Sequence, residues 1–290
     1  MILTTNRFLK YIAITIALLV LAFGLTQVFS GDIILPQFFN IGPLQIHYYG
    51  IIMAVAVAAG FYLAIKRAPQ YGIDLKLAED LLFWLIIGGF IGARAYHVLS
   101  DIGYYYRYPA DAFKVWNGGL SIYGSLVGGL LVLYLYFKLL NLRFSILNFL
   151  DWLAPSLLLG QIIGRFGNLF NYEAFGYPTN LPWKMFVPVQ FRPRGFINYN
   201  FFHPFFLYEI LGNLIIFFVL MVVVKKGRTA AMGYLFFLYV LLYNSLRFCL
   251  EFLRIDSTFI STFRLNAIVS LGLVFIGIIG LLLIKKMNKN

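Results

Sequence analysis

Long apolar runs recur at residues 8–29, 46–65, 81–99, 119–140, 149–169, 204–224, 231–252 and 264–284, each close to the ~20 residues a helix needs to cross the hydrocarbon core of a bilayer. They predict about eight transmembrane helices and an all-α polytopic membrane protein. The first run follows Arg7 and Lys10 as a signal peptide would, but it is of spanning length and no A-x-A cleavage site follows, so it reads as a retained helix. An even number of spans puts both termini on one side. That side collects Arg7, Lys10, Lys66, Arg67, Lys76, Lys138, Arg143, Lys225, Lys226, Arg228, Lys285, Lys286 and Lys289, the majority of the 23 basic residues. The positive-inside rule then places both termini in the cytoplasm.

This topology assigns a depth to every polar residue inside a run. His47 and Tyr49 open the second run from outside, His97 closes the third, Tyr123 lies just inside the fourth, and Arg165 is near the outer end of the fifth. His203, Tyr208 and Glu209 enter the sixth from outside, and Arg247 and Glu251 occupy the outer third of the seventh. Polar groups that merely glue helices together would show no preference for depth, so the convergence predicts one polar cavity open to the outer leaflet. Asp151, at the inner end of the fifth run, is the exception. The segment 171–202 contains Pro178, Pro182, Pro188 and Pro193 among aromatics, and reads as an ordered outer loop roofing the cavity. No repeat or second soluble domain is visible. The division expected is 1–40, an additional helix with its outer linker, and 41–290, the main membrane domain including that loop.

Composition agrees, with 61% hydrophobic and only 12% charged residues. A net charge of +12 invites a nucleic-acid reading, but the basic residues sit at the ends of the apolar runs and form no stripe with stacking aromatics. Cys249, the single cysteine, lies within an apolar run and reads as a small buried hydrophobe. The three histidines lack ligand-pair spacing, and neither a G-x-S-x-G elbow nor a Walker loop is present. Neither metal nor cofactor is expected.

Candidate chemistry concentrates at 164–176, G-R-F-G-N-L-F-N-Y-E-A-F-G, where an apolar run ends in arginine, asparagines and a glutamate. Such groups are costly in lipid and mark substrate sites. Arg165 can fork two hydrogen bonds onto a phosphate, Asn168 lies one helical turn on, and Gly164 and Gly167 let a ligand approach the backbone. In the seventh run Tyr243, Arg247 and Glu251 recur every four residues with Arg254 three further on, roughly one helical face. One reading is that Arg247 and Glu251 only neutralise each other. Beside Arg165, they form with it a clamp for an anionic lipid headgroup, with tyrosine, histidine or carboxylate available for proton transfer.

At these residues the chain resembles the prolipoprotein diacylglyceryl transferase family. The resemblance rests on the 164–176 segment and continues through I-G-P-L-Q-I-H-Y-Y-G from Ile41, G-A-R-A-Y-H-V-L from Gly92, W-N-G-G-L-S-I-Y-G from Trp116, H-P-F-F-L-Y-E from His203 and Y-N-S-L-R-F-C-L-E-F-L-R from Tyr243. It implies membrane helices around a lipid-filled cavity in the bacterial inner membrane. The implied reaction moves diacylglycerol from phosphatidylglycerol to the lipobox cysteine thiol of a preprolipoprotein signal peptide, releasing glycerol phosphate. By the same resemblance Arg165 and Arg247 bind the phosphate, Asn168, Glu173 and Gly176 shape the headgroup site with Tyr243, Glu251 steadies Arg247, and Tyr49 and Asp151 are needed for activity.

Two features depart from the family pattern. The family core starts near the I-G-P segment, so the helix at 8–29 is an addition; no clamp candidate lies in it, and it is expected to be dispensable for chemistry. In the segment from Trp116, Tyr123 stands where some members carry a histidine proposed as general base, whereas His97 stands where tyrosine is common. His97 is therefore the candidate base, in exchange with Tyr123; the alternative is a histidine hydrogen-bonded at a helix end. A competing function is a lipid or anion transporter with an outward-facing headgroup site. Access from both sides and paired broken helices, which transport would need, are not seen in the sequence.

Overall fold

The computed structural model describes residues 15–16, 19–20, 22–139, 145–225 and 231–287. Arg7, Lys10, Arg143, Lys226, Arg228, Lys289 and parts of the first apolar run lie outside them. Seven described helices are long and apolar enough to cross a membrane. These are α2 (Tyr48–Arg67), α3 (Leu75–Ser100), α5 (Ile122–Leu139), α6 (Ile146–Asn171), α7 (Phe205–Lys225), α8 (Tyr234–Glu251) and α9 (Leu265–Met287), with α1 helical over 22–30 and the short α4 (Ile102–Arg107) completing the order. The chain is thus an all-α multi-pass membrane protein. Helices dominate because lipid cannot hydrogen-bond a peptide group, so each spanning segment must satisfy its own backbone. Three short antiparallel pairs interrupt the pattern, all in connecting segments: β1 (Phe38–Ile41) with β2 (Leu44–His47), β3 (Met185–Phe186) with β4 (Phe201–Phe202), and β5 (Phe259–Ile260) with β6 (Phe263–Arg264).

Helix ends follow local caps. Asp74 accepts from the backbone N–H of Lys76 at 2.9 Å and Leu77 at 3.2 Å, starting α3 six residues ahead of the apolar run. Ser145 does the same for α6 through Leu147 N at 3.2 Å. The start of α8 is capped from a distance. There the carboxylate of Asp151 on α6 accepts from Gly233 N and Phe236 N, both at 2.7 Å. A negative group at a helix N-terminus satisfies orphan donors and complements the helix dipole.

α6 is the central strut, packing against α2, α7 and α8, while α9 covers α8. α2 crosses α6 through small residues: a Cβ on Gly60 would sit 3.0 Å from Ser156 O, and one on Gly160 3.4 Å from Ala56 O. α3 and α5 form a separate pair joined by glycines, G88-x-x-x-G92 facing G124-x-x-x-G128; a Cβ on Gly92 would lie 2.8 Å from Gly128 Cα. This pair touches α2 only slightly and joins the body at one end, through a cluster holding Leu81, Leu133, Phe149 and Trp152. Arg67 is buried in the same region, donating to Trp152 O and Tyr71 OH, each at 2.8 Å. At the other end a second cluster joins Leu169, Tyr172, Met185, Val187, Phe202 and Phe206. That cluster is the root of the 171–202 segment, which folds back on the chain just past α8 through a Gly176–Arg254 bridge. Cys249 departs from expectation: it is exposed on α8 rather than buried.

Candidate headgroup site

The polar residues at one end of α6, α7 and α8 meet around a single carboxylate. Glu209, 1% exposed, places Oε2 2.7 Å from Arg165 Nε and Oε1 against Arg247 Nη1, so each oxygen meets one arginine. Arg247 Nη2 also reaches Glu251 Oε2 at 3.5 Å, the i,i+4 pairing that the spacing implied. Glu251 in turn accepts from Asn266 Nδ2 at 3.1 Å, and Arg264 Nη1 donates to the carbonyls of Glu251 at 2.6 Å and Arg254 at 2.9 Å. Arg165 Nη1 donates to Asn168 Oδ1 at 3.4 Å, Asn168 Nδ2 to Glu173 Oε1 at 2.9 Å, and Asn171 Nδ2 to the same oxygen at 3.4 Å. Tyr172 and Ala174, on either side of Glu173, both adopt left-handed backbone, with φ of 50° and 52°. This reverses the chain at the end of α6 and turns Glu173 back toward Asn168.

Below this cluster lies a cavity of about 440 Å³ lined by α2, α6 and α8, with Ile86 of α3 and Ile122 of α5 on its far side. Its walls are mainly apolar, from Met53, Val57, Phe61 and Leu157, whereas Tyr49, Gln161, Arg165, Asn168 and Tyr243 supply polar groups. Arg165 is 27% exposed and Arg247 13%, so Arg165 is the more open of the two. The Tyr49 ring packs on Gly167, where a Cβ would come within 2.7 Å of it, and Tyr243 stacks on Tyr239 with centroids 5.6 Å apart. A guanidinium carries five donors, so two arginines spaced by one carboxylate keep N–H groups free for phosphate oxygens in a poorly hydrated setting.

Several candidates lie elsewhere. Asp151 is not among the residues lining the cavity, and its carboxylate is spent on the start of α8. Gly176 lies where two segments cross; a Cβ there would come within 2.6 Å of Leu253 O, which makes it a packing position. Arg254 lies three residues beyond the end of α8 and pairs with Asp256, yet it stays beside Arg247, both guanidinium groups lying over the Phe205 ring at 5.9 and 5.8 Å. His97 packs on Gly119 and meets Tyr105 edge-on at 6.0 Å, while Tyr123 is exposed with its ring 6.2 Å from that of Tyr96. Neither lines the cavity. Arg94, the third arginine within a span, donates to the carbonyls of Ala112 at 2.9 Å, Gly118 at 2.8 Å and Gly119 at 3.0 Å, and thereby holds the α3–α5 connection. The residue whose role the sequence reading missed is Glu209. Its depth was visible, and an acidic residue level with two intramembrane arginines was the signal. Beside it, His203 Nδ1, just ahead of α7, meets the OH of Tyr208 in the first turn of α7 at 2.9 Å, and Trp183 Nε1 donates to that hydroxyl at 2.8 Å. Burial holds the imidazole of His203 below its ordinary pKa, favouring the neutral ring. Among the described residues no group of His, Cys, Asp and Glu could hold a metal ion.

The family described as prolipoprotein diacylglyceryl transferase matches residues 36–283. The phosphatidylglycerol--prolipoprotein diacylglyceryl transferase of Thermotoga maritima is 42% identical over 262 residues, covering 90% of this chain and 89% of the relative. Its counterpart from Fervidobacterium nodosum is 42% identical over 258 residues, with 89% and 88% covered, and that from Nostoc sp. 38% over 250 residues, with 85% and 88% covered. With the match running through every helix of the cavity and both clamp arginines, the chain belongs to the prolipoprotein diacylglyceryl transferase family.

Proposed function

We propose that this transferase moves the diacylglyceryl group of phosphatidylglycerol to the lipobox cysteine of a preprolipoprotein, at the outer face of a bacterial inner membrane. The observation that carries the reading is the pair of arginines joined through the two oxygens of Glu209, with Arg165 of that pair lining an apolar cavity. Acyl chains occupy the cavity, and the phosphodiester meets Arg165 and Arg247. The thiol sulfur attacks the diacylglycerol C3, a C–S bond forms as the C–O bond to phosphate breaks, and the thiol proton leaves to a base. The leaving glycerol phosphate gains a second negative charge, which the arginines are placed to stabilise more strongly than the monoanionic substrate. Glu209 and Glu251 fix the guanidinium planes and offset their charge while the site is empty. Asp151 contributes by tying α8, the carrier of Arg247, to α6.

Family membership favours covalent transfer over lipid transport. The test is purified protein with phosphatidylglycerol and a lipobox peptide: a diacylglyceryl mass increase on cysteine with stoichiometric glycerol phosphate is expected, and headgroup binding without either product would overturn the reading. The outer placement of the 171–202 segment is tested by Thr179→Cys in a Cys249→Ser background. Labelling by an impermeant maleimide in intact cells is expected, and labelling only after lysis would invert the orientation.

A further inference from the structure

The segment ahead of the family match ends against the base of the clamp. Val28 is buried in the same cluster as Tyr172, Met185 and Phe206, and Phe29 meets Phe206 edge-on at 6.4 Å. Gly31, at φ 89°, lets the chain turn over the Phe186 ring, which a Cβ would approach to 2.7 Å. The backbone N–H of Leu35 then donates to Tyr172 OH at 2.7 Å, and Gln37 Nε2 to Asn171 O at 3.4 Å. These contacts fall on the residues that hold Glu173. Left-handed backbone at two non-glycine residues costs energy and persists only where surrounding contacts over-determine it. Here Tyr172 is buried, stacks on Phe191 at 5.0 Å and receives the Leu35 N–H, while the residue after it supplies the carboxylate that anchors Asn168 and, through it, Arg165.

We propose that residues 25–37, most of which precede the region matched by the family, form a clasp that positions Glu173 through Tyr172 and so sets the Arg165 side of the clamp. The clasp rests on the headgroup reading above and extends it: the segment ahead of the family match is a positioning element of the site, and not dispensable for chemistry as its lack of clamp residues suggested. Leu35 and Tyr172 are positioning residues and touch no substrate themselves.

The test uses the full chain and reads phosphatidylglycerol affinity in nanodiscs, turnover, and the thermal midpoint. Tyr172→Phe keeps the ring stack and deletes only the acceptor for the Leu35 N–H. It is expected to weaken phosphatidylglycerol binding about tenfold with an unchanged midpoint, and to have no further effect in a Glu173→Gln background, because residues acting through one network are non-additive. Gly31→Ala, which forces Phe186 aside, is expected to give a smaller loss with the same dependence on Glu173, and it decides the matter if Tyr172→Phe fails to fold. Unchanged affinity, or an equal loss in both Glu173 backgrounds, would overturn the clasp. Wild-type protein that binds the lipid but releases no glycerol phosphate would overturn the transferase reading instead, and leaves the affinity comparison intact.

Discussion

The α3–α5 pair and the α6–α7–α8 end both contain arginine inside an apolar helix, yet they satisfy it in opposite ways. Arg94 spends its donors on backbone carbonyls of one connecting segment, which no ligand can displace without unravelling the chain. Arg247 meets the carboxylates of Glu209 and Glu251, and Arg165, which lines the cavity, lies 2.7 Å from Glu209 and donates to Asn168 Oδ1, partners that a phosphate can partly replace. An intramembrane arginine thus announces function or scaffolding according to its partners, and depth alone does not separate the two. The helix contacts differ in parallel. α3 and α5 approach glycine to glycine, whereas α2 and α6, with Tyr243 of α8, line a cavity that has room for a ligand.

The largest expected effect that sharpens this contrast is in the clamp. Arg165→Ala and Arg247→Ala should each lower kcat at least about a hundredfold, on the order of 3 kcal/mol of lost transition-state stabilisation, and lysine should restore little because a point charge lacks the bidentate fork. Near wild-type turnover in either alanine variant would remove that arginine from the mechanism. Next comes the scaffold: Gly92→Val pushes a side chain into α5 and should destabilise the protein by about 1–3 kcal/mol, read as a lower thermal midpoint in detergent, with turnover per folded molecule nearly retained. A selective loss of turnover at an unchanged midpoint would mean that the pair serves chemistry directly.

His97 tests the border between the two regions. Packed on Gly119 and away from the cavity wall, it is expected on His97→Gln to lose no more than about tenfold in rate, less than one positioned general base supplies. A larger loss together with disappearance of the acidic limb of the pH profile would restore it as the base, in exchange with Tyr123. The smallest effect concerns His203, whose folded pKa lies below the ordinary value of about 6.5. Between those two pKa values the unfolded chain binds more protons, so stability contributed by the neutral ring is present above the ordinary value and is lost as pH falls below it. The thermal midpoint should therefore drop modestly on acidification below about pH 6.5, and His203→Gln should flatten that dependence.

Apolar runs are local, and a helix in lipid must satisfy its own backbone, so seven spans were legible within a few residues from composition alone. The misjudged end, that of α3, depended on a polar cap, Asp74, outside the apolar pattern. The 164–176 segment and the Arg247–Glu251 pair were equally readable because their partners lie within one or two helical turns. The bond between Arg247 and Glu209 spans 38 residues and exists only because α7 and α8 pack side by side. The same holds for Asp151, whose sequence position says nothing of the helix start it caps on α8, and for the glycines whose partners on α5 become visible only in contact. What the sequence determined by itself was the multi-pass membrane architecture and the family, since these follow from hydrophobicity and short-range spacing. What the tertiary structure decided was which charges face one another, because an ion pair is a property of helix packing and of the solvent that packing excludes.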